Sequence, residues 1–160
     1  MENNESVRKH VLEFIRKKRI GVIATESHHE PHAATVFFHV DDAFALYFVS
    51  TQHTQKIKDI ETNNRVSIVF GAEDSPDTVQ MSGKGEILEG EESLSIIATV
   101  TGIASQAGYH WPPIAKLSSD HLVAIKIIPE WIRWLDLRPI DANASVSEKV
   151  LQMQYIQILP

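Results

Sequence analysis

The spacing of apolar residues changes from a helical to a strand period near residue 19. Val7, Val11, Phe14 and Ile15 lie at positions i, i+4, i+7 and i+8, which places them on one face of a helix. Residues 19–25 are mostly apolar and β-branched, a pattern typical of a strand. The first segment is therefore predicted to be an amphipathic helix that leads into a sheet.

Beyond residue 25 the strand pattern recurs between polar turns. It predicts further strands at residues 32–40, 44–49, 65–70, 78–88, 122–128 and 131–135. Two helices interrupt them, one from Thr54 to about Asn63 and one from residue 91 to about residue 107. Gly83 and Gly85 lie inside the fifth strand and indicate a bulge or a sharp bend there.

The order of these elements predicts a mainly β fold. A meander, a short helix, a hairpin, a second helix and a last hairpin favour a six- to seven-stranded antiparallel barrel with flanking α-helices. Residues 1–140 form one domain in this interpretation, which suits a chain of 160 residues. Residues 141–160 form a tail, either an extra strand or an arm that clasps a partner.

Composition excludes several classes of function. The chain has 15 basic and 21 acidic residues, and this net charge of −6 argues against a broad nucleic-acid-binding surface. It has no cysteine, which excludes disulfides, thiolate catalysis and iron–sulfur clusters. No stretch approaches the roughly 20 apolar residues of a membrane span. A cytoplasmic location is predicted, because residues 1–19 also lack the apolar core of a signal peptide.

The polar segment that precedes the helix at Thr54 is the main candidate site. Its hydroxyl, amide and ammonium groups suit phosphate oxygens, and the free N–H groups of a helix start favour an anion. The candidates are Ser50, Thr51, Thr54, Gln55 and Lys56. Lys56 and Lys58 oppose the helix dipole, a conflict that a bound anion would remove. The alternative is that Thr54 is only an N-cap and both lysines are solvated.

Small and aromatic residues provide candidate contacts to a flat ring. The small side chains of Ala33, Ala34 and Thr35 would let a ring lie against the backbone, although they also suit a crowded barrel end. Trp111 and Trp131 could stack on a ring or pack in the core.

His28, His29 and His32 cluster in one polar turn. Clustered imidazoles can bind a metal or a haem iron. Their irregular spacing in a turn favours a surface role, and no metal site is predicted. No nucleophile-elbow, phosphate-loop or zinc-protease motif is present, so no catalytic residue is assigned.

Several segments, in order, resemble the pyridoxamine 5′-phosphate oxidase-like family, the FMN-binding split barrels. The segments are IGVIAT, PHAATVFFHVDD, LYFVSTQHTQKIKDIETNNRVSIVF and GKGEILEGEES. In the family the third strand runs into a Thr/Ser-rich loop that ends in Lys before a helix. The resemblance covers about residues 19–136.

This resemblance implies a six-stranded Greek-key split barrel that forms a homodimer with FMN between the subunits. By position, the phosphate would be held by Ser50, Thr54, Gln55 and Lys56. The ring would lie along Ala34, Thr35 and Val36, and the partner chain would add contacts near Trp111 or Trp131.

Two departures from the family argue against vitamin B6 oxidation. The oxidases place an arginine on the second strand, where this chain has Ala33, Ala34 and Thr35. They also carry an Arg-Leu-His segment near the C-terminus, and residues 131–138 contain no histidine. The expected function is an FMN-dependent oxidoreductase of unknown substrate. The alternative is a non-enzymatic flavin- or haem-binding module, and haem would favour His28, His29, His32, His110 or His121.

Overall fold

Three helices and seven strands make up the part of the chain that the computed structural model describes, residues 4–71, 77–107, 121–136, 143, 145 and 154–159. In chain order they are α1 (Asn4–Lys18), β1 (Ile20–Ser27), β2 (Glu30–Val40), β3 (Leu46–Thr51), α2 (Gln55–Thr62), β4 (Arg65–Gly71), β5 (Thr78–Leu88), α3 (Gly90–Gln106), β6 (Leu122–Asp136) and β7 (Gln154–Leu159). Among the described residues, no helix is both long and apolar enough to cross a membrane.

The strands form one antiparallel sheet that closes on itself. Their order is β3-β2-β1-β4-β5-β6-β7, and β3 also pairs with β6, so that six strands form a barrel and β7 extends it from β6. The order β3-β2-β1-β4 is that of a Greek key. The predicted Greek-key split barrel with flanking helices is therefore confirmed.

The barrel interior holds the main apolar core. On β4, Val66, Ile68 and Phe70 are buried in this core, whereas the residues between them face outward. The apolar stripe of α1 covers the core at the end where β1 begins, and Ile57 and Ile60 of α2 cover it at the other end. Helix α3 lies outside the barrel against β3 and β6, where a second apolar cluster forms.

One continuous strand replaces the last two predicted barrel strands. β6 is unbroken, so the prediction of separate strands at residues 122–128 and 131–135 is wrong. Pro129 has no N–H to donate, and it is tolerated because the pairing register shifts opposite it, between Ser82 and Gly83 of β5. Residues Gln154–Leu159 of the tail adopt the strand alternative, as β7.

β2 and β3 separate from each other over most of the length of β2. Only Phe38, His39 and Val40 pair with β3, whereas β2 from Glu30 to Phe37 pairs with β1 on its other edge. β3 itself continues along β6 as far as Thr51. The barrel is therefore split between β2 and β3 at the end covered by α2.

Candidate functional site

The split leaves backbone groups of β2 without a strand partner. The N–H of Phe38 donates to the carbonyl of Arg19 across a distance of 3.0 Å, on the side away from β3. Successive residues of an antiparallel strand direct their backbone groups to opposite edges. Ala33 and Thr35 therefore direct N–H and C=O towards the opening, where no described strand residue pairs with them. This free edge can bind a planar ring that carries both donors and acceptors.

Lys56 lies in a polar cluster where β3 leads into α2. Its Nζ donates to Ser50 Oγ at 3.2 Å, and Ser50 Oγ lies 3.0 Å from Thr54 Oγ1. The hydroxyl of Thr54 also bonds the carbonyl of Thr51 at 3.1 Å. The structure thus brings together Ser50, Thr51, Thr54 and Lys56, four of the predicted phosphate-binding residues.

The first turn of α2 keeps free hydrogen-bond donors. Thr54 occupies the N-cap position, but its side chain caps no N–H group, and the turn contains no acidic residue. Lys56 is half-buried, and this burial lowers the pKa of its ammonium group. No carboxylate in the described ranges lies within ion-pair distance of its Nζ. An anion bound here would supply a missing counter-charge and would accept from the free N–H groups.

The remaining predicted residues on β2 and α2 point in different directions. Ala34 and Val36 face the barrel interior, and Val36 belongs to the core, whereas Thr35 is exposed on the outer face. A ring along this segment would therefore meet backbone rather than the Val36 side chain. The amide of Gln55 donates to Asp59 Oδ1 at 2.8 Å, so it is directed to Asp59 and not to the Lys56 cluster.

Asp59 forms a buried network that no sequence motif indicates. Its side chain is fully excluded from solvent. Oδ1 accepts from Ser27 Oγ at 2.7 Å and from Gln55, and Oδ2 accepts from Thr25 Oγ1 at 2.7 Å and from His32 Nδ1 at 2.9 Å. Burial alone would raise the pKa of Asp59, but these hydrogen bonds outweigh it and lower the pKa to about 2. Asp59 is therefore ionised at neutral pH.

The histidines do not assemble a metal site in the described part of the chain. His28 and His29 occupy the exposed β1–β2 turn with positive φ of 53° and 66°, and His32 is bonded to Asp59. No group of three or more His, Cys, Asp or Glu side chains among the described residues could hold a metal ion. His121 is exposed, and His110 lies outside the described residues.

Trp131 lies far from the Lys56 cluster of the same chain. Ala124 of β6 pairs with Val49, which precedes Ser50 of the cluster. Trp131 lies roughly 20 Å further along β6 than Ala124. Together with Val22, Val69 and Gln80 it lines a cavity of about 400 Å³ on the outer face of the barrel. Trp111, the other aromatic residue predicted to contact the ring, lies outside the described residues.

Comparison with known sequences gives the family. Residues 7–135 match the family model of pyridoxamine 5′-phosphate oxidase, and the chain belongs to this family. General stress protein 26 of Bacillus subtilis is 30% identical to the chain over 89 residues. That alignment covers 53% of this chain and 62% of the relative, less than two thirds of the relative's length.

Solved structures of more distant proteins share the fold. An FAD-binding protein of Mesorhizobium loti superposes with a TM-score of 0.63 at 20% identity, over 78% of this chain and 90% of its own. A haem-binding protein of Mycobacterium smegmatis superposes with a TM-score of 0.64 at 18% identity, over 96% of this chain and 58% of its own. At these identities the likeness extends to the fold alone.

Proposed function

We propose that this chain binds FMN in the opening between β2 and β3, with the phosphate at Lys56. The observation that carries this proposal is a half-buried lysine without a carboxylate partner among the described residues, next to Ser50, Thr54 and an uncapped helix start. A phosphate fits this donor set, because it accepts several hydrogen bonds and neutralises the ammonium charge. The free backbone edge at Thr35 would bind the ring.

The Lys56 cluster supports a flavin more directly than a haem. A haem needs an axial ligand, and His28 and His29 lie in an exposed turn, whereas His32 donates from Nδ1 to Asp59 and leaves Nε2 as the ring nitrogen that could ligate an iron. The Lys56 cluster combines an ammonium group, two hydroxyls and a helix start, which suit the several oxygens of a phosphate, while a haem propionate would use only part of this donor set. The fold occurs in an FAD-binding protein as well as in a haem-binding one, so both ligands suit the barrel itself.

The function that follows is an FMN-dependent oxidoreductase. When bound, the flavin supplies the electron transfer, and the chain supplies binding and orientation. The alternative is a non-enzymatic module that stores or senses the ligand. The absorbance spectrum of the purified protein separates flavin from haem, and turnover with an electron donor separates enzyme from module.

We also propose that the chain acts as a homodimer in the cytoplasm, with the flavin at the interface. The outer barrel face exposes Val22 and Val69, which are 42% and 38% accessible. A second copy would cover this face. It would also bring its own Trp131 towards the ring, which the Trp131 of the same chain is too distant to contact.

Replacement of Lys56 tests the phosphate site. Lys56→Ala should weaken FMN by roughly 10- to 150-fold, the effect of one charge-assisted contact of about 1.5–3 kcal/mol. Riboflavin, which lacks the phosphate, should lose little, and fluorescence titration measures both ligands. Lys58→Ala is the matched control, because Lys58 is exposed on the same helix. An equal loss for the two flavins would indicate damage to the fold, and no loss would place the phosphate elsewhere.

A further inference from the structure

His32 lies on the inner face of β2. It is the titratable residue closest in sequence to the proposed ring site at Thr35. It precedes Ala34 and Val36 on that face, at roughly 7 and 13 Å along the strand. The Asp59 network connects it to the start of α2, because Gln55 bonds the same carboxylate and precedes Lys56. A ligand that spans from Lys56 to the free edge of β2 would therefore pass beside the imidazole.

The Asp59 carboxylate fixes which nitrogen of His32 carries a proton. Asp59 stays ionised and has no proton to donate, so the bond at 2.9 Å requires N–H on His32 Nδ1. The other nitrogen, Nε2, has no hydrogen-bond partner among the described residues and is open to solvent, since the His32 side chain is 35% exposed. An imidazole oriented by a buried carboxylate in this way has one free position at which a proton is gained or lost.

We propose that His32 is a flavin-binding residue that takes up a proton at Nε2 when the flavin binds, while Asp59 holds the ring and balances its charge. This inference rests on the proposed function. The charged imidazole would donate from Nε2 to the edge of the flavin ring, where acceptors outnumber donors. Asp59 would be the counter-charge of the imidazolium, because its carboxylate lies 2.9 Å from Nδ1.

Other charges near the imidazole do not replace this role. The titratable and charged groups on the elements around it are Asp59, Lys56, Lys58 and Glu61 of α2, Glu26 of β1, Glu30 of β2, and His28 and His29 of the turn. The carboxylate of Glu26 is bonded to Asn63 and to the N–H of His29. Among the described residues, Asp59 alone forms a hydrogen bond or ion pair with the His32 ring.

Riboflavin is the appropriate probe, because the phosphate of FMN itself titrates near pH 6. Calorimetry at about pH 7 in two buffers of different ionisation enthalpy measures the protons taken up on binding. The wild type should take up a measurable fraction of one proton per riboflavin. Its affinity should be several-fold higher at about pH 5.5 than at about pH 8.5.

His32→Asn is the decisive variant, since its amide can donate to Asp59 in place of Nδ1 but nothing titrates at Nε2. Proton uptake and the pH dependence of affinity should both vanish in it. His29→Asn is the matched control: it removes a neighbouring imidazole at a positive φ that asparagine tolerates, and it should behave as the wild type. If His32→Asn does not fold, His32→Gln takes its place.

The outcomes separate this inference from the proposed function. Riboflavin binding without proton uptake in the wild type would overturn the inference and leave the flavin site intact. Uptake that persists in the folded His32 variants would also overturn it, because another group would then be titrating. If the wild type binds neither riboflavin nor FMN at any pH, the proposed function fails, and the inference fails with it.

Discussion

At the scale of single residues, Asp59 determines how the α2 end of the barrel is held together. A buried carboxylate is tolerated only when hydrogen bonds replace its hydration. Asp59 receives four, from β1, from β2 and from its own helix. The network ties α2 to the strands beside the split, where β3 gives β2 no support.

Replacement of Asp59 should therefore destabilise the fold more than replacement of an exposed acid. Asp59→Ala leaves the donors of Thr25, Ser27 and His32 without an acceptor, and the free energy of unfolding should fall by about 3 kcal/mol or more. Asp42→Ala is the control: Asp42 pairs with Arg16 at the surface and is 92% exposed, so the change should stay below about 1 kcal/mol. Urea unfolding measures both. Similar losses for the two variants would contradict the role assigned to the network.

The same carboxylate should make the protein sensitive to acid. Its pKa is lowered from 3.8 to about 2 in the folded chain, so the unfolded chain binds the proton more tightly. The stabilisation, on the order of 2 kcal/mol, is fully present only above about pH 5 and is lost progressively as the pH falls towards 2. Asp59→Asn should be less stable at neutral pH and should lack this part of the decline. An identical decline in the variant would assign the acid sensitivity to other groups.

The sequence could not have indicated this residue. Asp59 lies between Lys58 and Ile60 on a short amphipathic helix, where an acidic residue is usually solvated. Three of its four hydrogen-bond donors, Thr25, Ser27 and His32, come from β1 and β2 and are more than 25 positions away in the sequence. The Lys56 cluster was predictable for the opposite reason, because Ser50 to Lys56 are consecutive and the helix start is a local signal.

At the scale of elements, the register shift between β5 and β6 explains why the strand prediction failed near Pro129. A proline inside an apolar run indicates a break when the run is considered alone. The partner strand provides the compensation, since Gly83 lies opposite Pro129 at the register shift. A Cβ on Gly83 would lie 2.1 Å from the carbonyl oxygen of Ile128. The continuity of β6 thus depends on a glycine about 45 residues earlier in the chain.

Alanine substitutions at two glycines should consequently have opposite signs. Gly83→Ala forces the β5 and β6 backbones apart and should cost about 2 kcal/mol or more. Gly102→Ala places a methyl group in open space within α3 and should stabilise by about 0.5–1 kcal/mol, because alanine is the better helix former. Thermal unfolding of the two variants provides the comparison. A stable Gly83→Ala protein would mean that the close approach is not a constraint on the barrel.

At the scale of the whole molecule, closure of the barrel and the proposed dimerisation differ in how far they can be predicted. Strand order follows from the element sequence and from the resemblance to the family, so the Greek-key barrel was predicted correctly. The location of the split was not predicted. It follows from the strand pairing, because β3 pairs with β6 but with only the last residues of β2, which leaves the rest of β2 open on that edge.

Dimerisation should depend on the outer face of β1 and β4. Val22 and Val69 are paired across these strands and both are exposed. Val69→Lys places a charge in the centre of the face and should weaken the dimer at least tenfold, which light scattering after size exclusion would detect. Leu94→Lys is the control, because Leu94 is 62% exposed on α3, away from this face. A wild-type monomer at micromolar concentration would overturn the dimer proposal.

The family is named for the oxidation of pyridoxamine 5′-phosphate, and the described basic residues do not form the substrate site that this reaction needs. Oxidation of pyridoxamine 5′-phosphate requires a second phosphate site over the flavin ring, and a phosphate dianion needs clustered Arg or Lys. The described basic residues of β6 are not clustered: Lys126 lies over the ring of Tyr47 at 5.9 Å, and the guanidinium of Arg133 stacks on Trp131 at 4.9 Å, so a second copy that brings Trp131 to the ring would bring one guanidinium with it. Both are engaged with aromatic side chains on the outer surface, and no histidine accompanies them on the strand.

We therefore expect no useful turnover of this substrate by FMN-loaded protein. The assay adds pyridoxamine 5′-phosphate aerobically and follows pyridoxal phosphate by its absorbance, with a pyridoxamine 5′-phosphate oxidase of known activity as the positive control. Arg138 lies outside the described residues, and Arg138→Ala tests whether it supplies the missing cation from the other subunit. Turnover on the order of 1 s⁻¹ or faster would restore the oxidase assignment. Loss of that turnover in Arg138→Ala would then identify the substrate phosphate site.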